Sequence, residues 1–279
     1  MTFREFASLV ERTFFEWLDD NGPRLGAALA FYSVFSLAPL LVILVSFVSV
    51  FFGNDAVQGR IVDQFELYIG REAAELIQSV IKAGRSPSSG VLATVASSFA
   101  LLLGASGVFN ELQQALNAIW NVPTKNGLTV SQFLKDRLWS FAMVFATGLI
   151  LVASMLSSSV FRLLSEVHSN LALHSTTAQI ANSAAWFAGT TIGFAIIFRV
   201  LPDVKVRWRD VWPGAALTAL LFSIGKTLIA LYLAKSTVAS IYGAAGSLVI
   251  ILFWVYYSAQ ILLFGAEFTQ VYSNRRSQS

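Results

Sequence analysis

Glu111 and Lys226 are ionisable residues that lie inside long apolar segments of this sequence. An ionisable side chain is costly in the hydrocarbon core of a membrane, so such residues are candidates for binding a substrate or a proton. Glu111 has the more polar surroundings, because Asn110, Gln114 and Asn117 share one helix face, which Glu111 borders. This face predicts a cavity that admits a polar substrate, where Glu111 binds a cationic group or a coupling proton. A hydrogen-bonded contact between helices is the alternative.

Pro39 lies midway along the first apolar segment and predicts a kink there, because proline removes a backbone hydrogen bond from a helix. Tyr32 and Ser36 precede it on the same segment. Counted along their helices, Tyr32 and Glu111 both lie roughly 13 Å from the same side of the membrane. A broken helix that faces a polar helix at one depth is typical of transporters. We therefore expect Tyr32 and Ser36 to line the same cavity as Glu111.

The remaining charged candidates are a lysine, a glutamate and a basic hairpin. Lys226 lies in the outer half of its segment, where it either reaches outward to water or binds an anion. Glu267 is close to the end of the last segment, and we expect it to reach the interface or to cap the basic hairpin. That hairpin contains Lys205, Arg207 and Arg209. The preference of basic loops for the cytoplasm explains the hairpin, and a contact with the anionic head group of a solute or lipid is the alternative.

The composition places these residues in a membrane protein. The chain has 279 residues, of which 56% are hydrophobic and 13% are charged. A soluble domain carries about 25% charged residues, so this chain has too few polar groups to cover a surface exposed to water. Cysteine is absent, there are two histidines, and the sequence has no phosphate-binding loop, dinucleotide fingerprint or zinc-protease motif. We therefore expect no enzyme activity, no metal site, no cofactor and no nucleic-acid partner.

Long stretches with few charged residues determine the predicted fold. A helix needs roughly 20 apolar residues to cross the hydrocarbon core. The stretches predict an all-α polytopic membrane protein, with a single membrane domain over residues 1–279 and six transmembrane helices. These helices are predicted near residues 25–52, 90–120, 137–162, 178–201, 211–234 and 244–270. In the fourth of them, Gly189 and Gly193 form a GxxxG motif that predicts close helix packing.

Two further helical segments are predicted outside the spans. Residues 2–20 are expected to form an amphipathic helix at the cytoplasmic interface, because apolar residues recur there at steps of three or four. The segment has five acidic and two basic residues, which favours packing against the protein itself over attraction to anionic lipid. Residues 54–88 are expected to form an outer helical segment, either a lid or a cap that rests on the outer leaflet.

The distribution of basic residues predicts the orientation in the membrane. In the six-helix topology, twelve Lys and Arg residues lie on the side of the two termini and six on the opposite side, while Lys226 lies within a span. Lys and Arg are enriched on the cytoplasmic side of membrane proteins. We therefore expect a multi-pass protein of the bacterial inner membrane with cytoplasmic N and C termini. The lipid bilayer is its expected partner, and the sequence does not predict an oligomeric state.

Four blocks of the sequence resemble the YihY/BrkB family of bacterial inner-membrane proteins. They are residues 27–39, 107–117 and 206–215, and a last, most specific block that joins residues 242–248 to 254–268. The resemblance implies a six-helix inner-membrane protein connected with virulence, envelope integrity and the export of solutes or lipid-linked material. The family also carried a ribonuclease label, for which this sequence lacks the clustered metal-binding residues. The resemblance carries over no catalytic residues.

Three functional hypotheses follow from the residues and the resemblance. The leading one is a secondary transporter or exporter of an anionic or zwitterionic solute, or of a lipid-linked head group. The second is an envelope scaffold that assists the assembly of partner proteins without transporting anything. The third and most remote is a membrane-bound ribonuclease. The substrate, the coupling ion and the direction of transport are not predicted.

Overall fold

The structure of the protein is a computed structural model, which describes residues 3–36, 75, 78–79, 107–122, 175–235 and 246–277. Every regular element within these residues is an α-helix. The all-α class is therefore confirmed for the described part of the chain, and the six-span topology stays a prediction. The predicted helix at 137–162, almost all of the outer segment 54–88, and Pro39 lie outside the described residues.

The described residues form six helices. α1 is Phe3–Asp19, α2 covers residues 22–36 and α3 covers residues 107–119. α4 is Ser175–Val200, α5 is Trp208–Lys235 and α6 is Gly246–Ser277. Asn21 turns the chain between α1 and α2 with a φ of 57°, and Asn121 follows α3 with a φ of 52°. Asparagine tolerates this left-handed conformation better than most residues do, so both positions are suited to end a helix.

α5 lies between α4 and α6 and contacts both helices. At one end of the α4–α5 pair, the guanidinium of Arg199 lies 5.1 Å from the centre of the Trp208 ring. Further along the pair, the ring of Trp186 stacks on that of Phe222 with centres 6.4 Å apart. The order of these contacts shows that α4 and α5 run antiparallel. On its other side, Phe222 meets Trp254 of α6 edge to face, with ring centres 5.9 Å apart.

Glycine and threonine side by side let α5 and α6 approach closely. A Cβ atom at Gly214 would collide with the Thr269 hydroxyl and would lie 2.9 Å from the Gly265 carbonyl oxygen. A Cβ atom at Gly265 would in turn collide with the hydroxyl of Thr218. Thr218 and Thr269 each donate a hydrogen bond to the carbonyl of the glycine four residues earlier, at 2.7 and 2.8 Å. The hydroxyls are therefore satisfied within a buried contact of small residues, as is common between membrane helices.

The predicted GxxxG contact of α4 has no partner among the described helices, so it stays a prediction. A Cβ atom at Gly189 or at Gly193 would have no described atom within 4 Å. α4 instead packs on α5 through large rings, among them Trp186 and Phe194, which both contact Phe222. The aromatic residues lie on a neighbouring face of α4, so that face and not the glycine face forms the contact with α5.

A buried apolar core joins α3 to the last three helices. Leu116 and Ile119 of α3 are 0% and 1% exposed, and they cluster with Phe198 of α4, Val211 of α5 and Leu263 of α6. These residues place one face of α3 in the core. The opposite, polar face of α3 is thereby directed away from it, because the two faces alternate with the helical repeat.

α1 packs along the last turns of α6, which agrees with the predicted contact between this amphipathic helix and the rest of the protein. Leu9 is buried against Phe268, whose ring centre lies 6.1 Å from that of Phe6. Near the other end of α1, the Trp17 ring meets Phe264 at 6.3 Å. α6 has 32 residues and is about 48 Å long, roughly 18 Å more than the hydrocarbon core is thick. Its length leaves several turns free to hold α1.

Exposed apolar side chains run in stripes along α4, α5 and α6. On α5, Leu220, Ile224 and Leu228 are spaced one turn apart and are 49%, 49% and 58% exposed. Soluble proteins rarely expose large continuous apolar surfaces, whereas a lipid-facing surface is built from them. Two described helical stretches, Trp208–Ile229 and Leu248–Arg276, are long and apolar enough to cross a membrane.

Candidate functional site

One part of the polar face of α3 binds the hairpin between α4 and α5. The side-chain amides of Gln113 and Asn117 donate to the two carboxylate oxygens of Asp203, at 3.3 and 3.2 Å. The backbone N–H of Asp203 donates in return to Oδ1 of Asn117 at 2.8 Å. Asn117 thus uses both ends of its amide to hold the hairpin. Asn117 therefore joins α3 to the hairpin by hydrogen bonds, which is a structural role and not the substrate contact that the sequence predicted for it.

The rest of the polar face has no such contact. Asn110 and Gln114 are exposed, and Glu111 is partly buried. Among the described residues, Glu111 has neither a hydrogen-bond partner nor an ion-pair partner. The polar face of α3 is therefore divided into a part that supports the hairpin and a part, formed by these three residues, that makes no hydrogen bond or ion pair with the described part of the chain. We call Asn110, Glu111 and Gln114 the open polar face.

α2 lies beside the beginning of α3, near the open polar face. Ser36 is buried, and its hydroxyl would be 3.2 Å from a Cβ atom added at Gly107. Tyr32, one turn earlier on α2, is 46% exposed and packs edge to face against Phe31 with ring centres 5.9 Å apart. The structure thus brings Ser36 to α3. Within the residues that it describes, no hydrogen bond joins Tyr32 or Ser36 to Glu111.

Lys226 contacts an aromatic ring of the neighbouring helix. Its Nζ atom lies 4.8 Å from the centre of the Trp186 ring on α4. This is a favourable cation–π distance, and the lysine is partly buried. The contact stabilises the charge of Lys226 beside the bundle, and it accounts for a lysine in an apolar helix without a bound anion.

The basic hairpin carries its cations beside two exposed tryptophans. Lys205, Arg207 and Arg209 are all exposed. Trp208 and Trp212 lie one turn apart at the beginning of α5, and both are 44% exposed. Cations and indole rings together are typical of the head-group region of a membrane. This surface suits both a loop retained on the cytoplasmic side and a site for anionic head groups.

Asp210 was not a candidate in the sequence analysis, and it joins the hairpin to the end of α6. Its side chain is fully buried. Arg207 Nε donates to one carboxylate oxygen at 2.7 Å, and Arg276 Nη1 donates to the other at 3.3 Å. Asp210 lies in the first turn of α5, where the helix dipole also favours a negative charge. The sequence signal that could have identified Asp210 is an acidic residue in the first turn of a helix, close to basic residues.

The expectation for Glu267 is wrong in the structure. The side chain does not reach the interface, since it is 0% exposed. It does not cap the hairpin either, because Arg207 and Arg276 bind Asp210 and neither carboxylate oxygen of Glu267 has a hydrogen-bond partner in the described part of the chain. α1 packs along this part of α6, which a pattern read from α6 alone does not reveal.

The end of α1 is acidic. Asp20 follows the helix, and its pKa is raised by burial and by the negative charges of Glu16 and Asp19. Glu16 is bonded by Arg12, whose Nε atom donates to it at 2.7 Å. Among the residues described, no group of three histidine, aspartate or glutamate side chains is placed to hold a metal ion.

Comparisons with known proteins agree with the resemblance found in the sequence. The family model described as "Virulence factor BrkB" matches residues 13–279. A UPF0761 membrane protein of Xanthomonas campestris pv. campestris (strain B100) is 29% identical over 272 residues, which are 94% of this chain and 60% of the relative. A UPF0761 membrane protein of Xanthomonas oryzae pv. oryzae (strain PXO99A) is 29% identical over 256 residues, 90% of this chain and 57% of the relative.

These comparisons show the family and the membrane character of the chain. The chain spans about 60% of the length of the curated relatives that it matches. No solved structure matches it. The relatives are named as membrane proteins, and two described helices are long and apolar enough to cross a membrane. Because the family model covers almost the whole sequence, the chain belongs to the virulence factor BrkB family.

Proposed function

We propose that this protein is a secondary transporter or exporter of the bacterial inner membrane, which moves an anionic or zwitterionic solute or a lipid-linked head group. The observation that carries the proposal is the open polar face of α3. Asn110 and Gln114 are exposed on a helix whose other face lies in an apolar core. Lipid tails cannot satisfy the hydrogen-bonding groups of amide side chains. A water-filled cavity that admits a polar substrate provides the partners that they need.

Glu111 is the residue that we propose to bind the cationic part of a substrate or a coupling proton. It is partly buried beside the two amides, and the described residues give it no cationic partner. Ser36, which lies beside Gly107 one turn before Glu111, belongs to the wall contributed by α2. Tyr32 precedes it by one turn and is exposed, so we place it on the same wall.

We propose that the basic hairpin faces the cytoplasm, with both termini on its side. The Arg276–Asp210 ion pair joins the last turn of α6 to the beginning of α5, so the C-terminal end lies beside the hairpin. Positive loops are retained in the cytoplasm. The chain has no cysteine, and a single cysteine at Ser273 can therefore be labelled cleanly. Labelling of Ser273→Cys in intact cells by a reagent that cannot cross the membrane would contradict this orientation.

An envelope scaffold without transport activity is the second candidate. Phe14, Phe15 and Leu18 of α1 are 47%, 57% and 43% exposed, although α1 packs on α6 through its other side. Exposed apolar residues on an amphipathic helix suit either the membrane interface or a protein partner. A scaffold requires this apolar surface of α1 to bind its partner, and it does not require the open polar face of α3. The two candidates therefore differ in which residues are required.

The experiment that separates them begins with cells that contain or lack the chain. Their released metabolites and lipids are compared without a preselected target, and the compound that differs most is then measured in vesicles that contain the purified protein. Glu111→Gln keeps the shape and most hydrogen bonds of the side chain but removes its charge. We expect this variant to lower the flux by about tenfold or more, the typical minimum cost of losing a charged contact.

Glu11→Gln is the matched control, since Glu11 is an exposed carboxylate on α1. It should leave the flux unchanged at equal abundance in the membrane. Wild-type flux together with a wild-type pH dependence in Glu111→Gln would contradict the assigned site. No difference in released compounds, combined with envelope defects when Phe14 and Phe15 are replaced by serine, would favour the scaffold instead.

A further inference from the structure

Glu267 is a buried carboxylate that the proposed transport site does not use. It lies between Ala266 and Phe268 on α6, and all three residues are 0–2% exposed. Neither Oε1 nor Oε2 of Glu267 has a hydrogen-bond partner in the described structure. A buried and ionised carboxylate without a partner is strongly unfavourable. Such a group needs a neutralising ligand.

The surroundings of Glu267 add negative charge. The carboxylates of Asp20 and Glu16, at the end of α1, lie close enough for their charges to act on it. Arg12 bonds Glu16 at 2.7 Å, but the Arg12 side chain is 55% exposed and points to the outer side of α1. Arg24 at the beginning of α2 is exposed. α5 contacts this part of α6 through glycine and threonine, which carry no charge.

The neighbouring polar groups leave acceptor oxygens in excess. Gln260, two turns before Glu267 on α6, donates through its amide nitrogen to the carbonyl of Pro23 at 3.2 Å, and its amide oxygen has no partner. The indole N–H of Trp17 is also buried and unpaired. The amide oxygen of Gln270, one turn after Glu267, is unpaired as well, so the described residues leave four buried acceptor oxygens without a partner and two indole donors, those of Trp17 and Trp120. This composition favours a small cation, and no group of three acidic or histidine side chains in the described ranges is placed for a metal ion.

We propose that Glu267 is a proton-binding site closed by α1 and the turn that follows it, and that release of this proton loosens α1 from α6. A proton neutralises the carboxylate without further ligands, and the protonated group donates a hydrogen bond of its own. Release of the proton adds a negative charge that repels Asp20 and Glu16. Both of these belong to α1 or its last turn, so the repulsion acts on the element that covers the site.

The remaining described contacts of α1 with α6 extend from the neighbour of Glu267 to the end of α6. Leu9 packs on Phe268 and Val271, and Glu5 faces Arg275 at 3.8 Å. These contacts hold the beginning of α1 near the end of α6. Because Phe268 adjoins Glu267 along α6, we expect the contact of Leu9 with α6 to loosen when Glu267 loses its proton.

The protonation state is tested directly by infrared spectroscopy of the whole chain in lipid nanodiscs, with isotope-labelled glutamate. We expect a carbonyl band of a protonated glutamic acid at neutral pH in the wild type and in the control Glu11→Gln. The band should be lost in Glu267→Gln. Above the pH of release, the ratio of protonated to ionised acid should fall about tenfold per pH unit. A spectrum without this band at neutral pH overturns the proposal, as does a carboxylate signal that responds to sodium at constant pH.

The movement of α1 is tested by the reactivity of single cysteines. Leu9→Cys places a thiol in the buried contact with α6, and Ser8→Cys places one on the exposed side of α1. The ratio of their labelling rates cancels the pH dependence of the thiol itself. With two like-charged neighbours, each acting as in an exposed helix pair, the ratio should rise roughly two- to fivefold as Glu267 ionises.

The same ratio should be independent of pH in the Glu267→Gln background. A pH-independent ratio in the wild type, or an unchanged rise in Glu267→Gln, overturns the coupling to α1. If Glu267→Gln does not fold, the infrared titration of Glu111→Gln, which removes the other proposed proton site, still decides whether Glu267 is protonated. Neither measurement requires transport, so failure of the transport proposal leaves this one intact.

Discussion

Replacing Gly265 by alanine should push α5 and α6 apart. The added Cβ atom would overlap the hydroxyl of Thr218, and it would lie 3.0 Å from the Thr218 Cβ and 3.3 Å from a ring carbon of Phe198. The threonine Cβ is attached to the backbone and does not move with a change of rotamer. The helices must therefore separate, or the contact must shift, to accept one methyl group.

The size of the effect follows from two opposing contributions. Inserting a methyl group into a well-packed contact costs about 1–3 kcal/mol. Alanine in place of glycine within a helix returns up to about 1 kcal/mol. We therefore expect Gly265→Ala to lower the free energy of unfolding by up to about 2 kcal/mol. Gly189→Ala, where the Cβ atom meets no described atom within 4 Å, keeps only the favourable contribution and should be neutral or stabilising.

The assay is denaturant unfolding of the whole chain in detergent, followed by tryptophan fluorescence. Wild type, Gly265→Ala, Thr218→Ala and the double variant form a thermodynamic cycle. Thr218→Ala removes the hydroxyl that the new methyl group overlaps, so the double variant should recover part of the lost stability. The coupling energy between the two positions should be about 1 kcal/mol or more, within the usual range for residues in contact.

The outcome that refutes the reasoning is equal stability of Gly265→Ala and Gly189→Ala. It would mean that the helices separate without a cost at Gly265. A coupling energy near zero in the cycle would have the same consequence, because the overlap with Thr218 would then not be the cause of the instability.

Three further predictions concern charged residues. Asp20→Asn should stabilise the protein at neutral pH by about 0.2–0.5 kcal/mol, the cost of one like-charge helix pair with Glu16. Because the pKa of Asp20 is raised on folding, its ionisation opposes folding as the pH rises through that pKa. The variant and the wild type should therefore unfold alike below about pH 4. Asp210→Asn should cost about 1.5–3 kcal/mol in the same unfolding assay, since it weakens two charge-assisted hydrogen bonds; unchanged stability would show that these bonds contribute little. Lys226→Met should show a coupling of about 0.5–2 kcal/mol with Trp186→Leu in a double-mutant cycle, and additivity would exclude a stabilising cation–π contact.

The sequence predicted those parts of the fold that depend on local periodicity. Apolar residues recur at helical spacing in the first twenty positions, and the structure has helix α1 there. The helix was expected to pack against the protein, and Leu9 contacts α6. The long apolar stretches are found as α5 and α6. The polar face of α3 was visible because amides at helical spacing stand out in an apolar chain. These features belong to single elements and need no knowledge of their neighbours.

Features that depend on the choice between competing partners could not be predicted. Asp210 and Glu267 are both predicted near the cytoplasmic side, where either could pair with an arginine. Arg207 and Arg276 bind Asp210. The first turn of α5 places Asp210 between them, while α1 covers Glu267. In the same way, Gly189 and Gly214 are both glycines in apolar helices, and only the latter meets a threonine that requires its small size.

The polar residues of the bundle separate into those that hold the structure and those that do not. Lipid tails are as apolar as leucine, so burial alone does not join membrane helices, and shape and polar contacts must do so. Asn117 and Asp210 meet this need through Asp203 and the arginines, and Lys226 does so through Trp186. Glu111 has no such contact among the described residues. Because an acid without a structural role is costly to keep in a membrane helix, its presence there favours a role in binding.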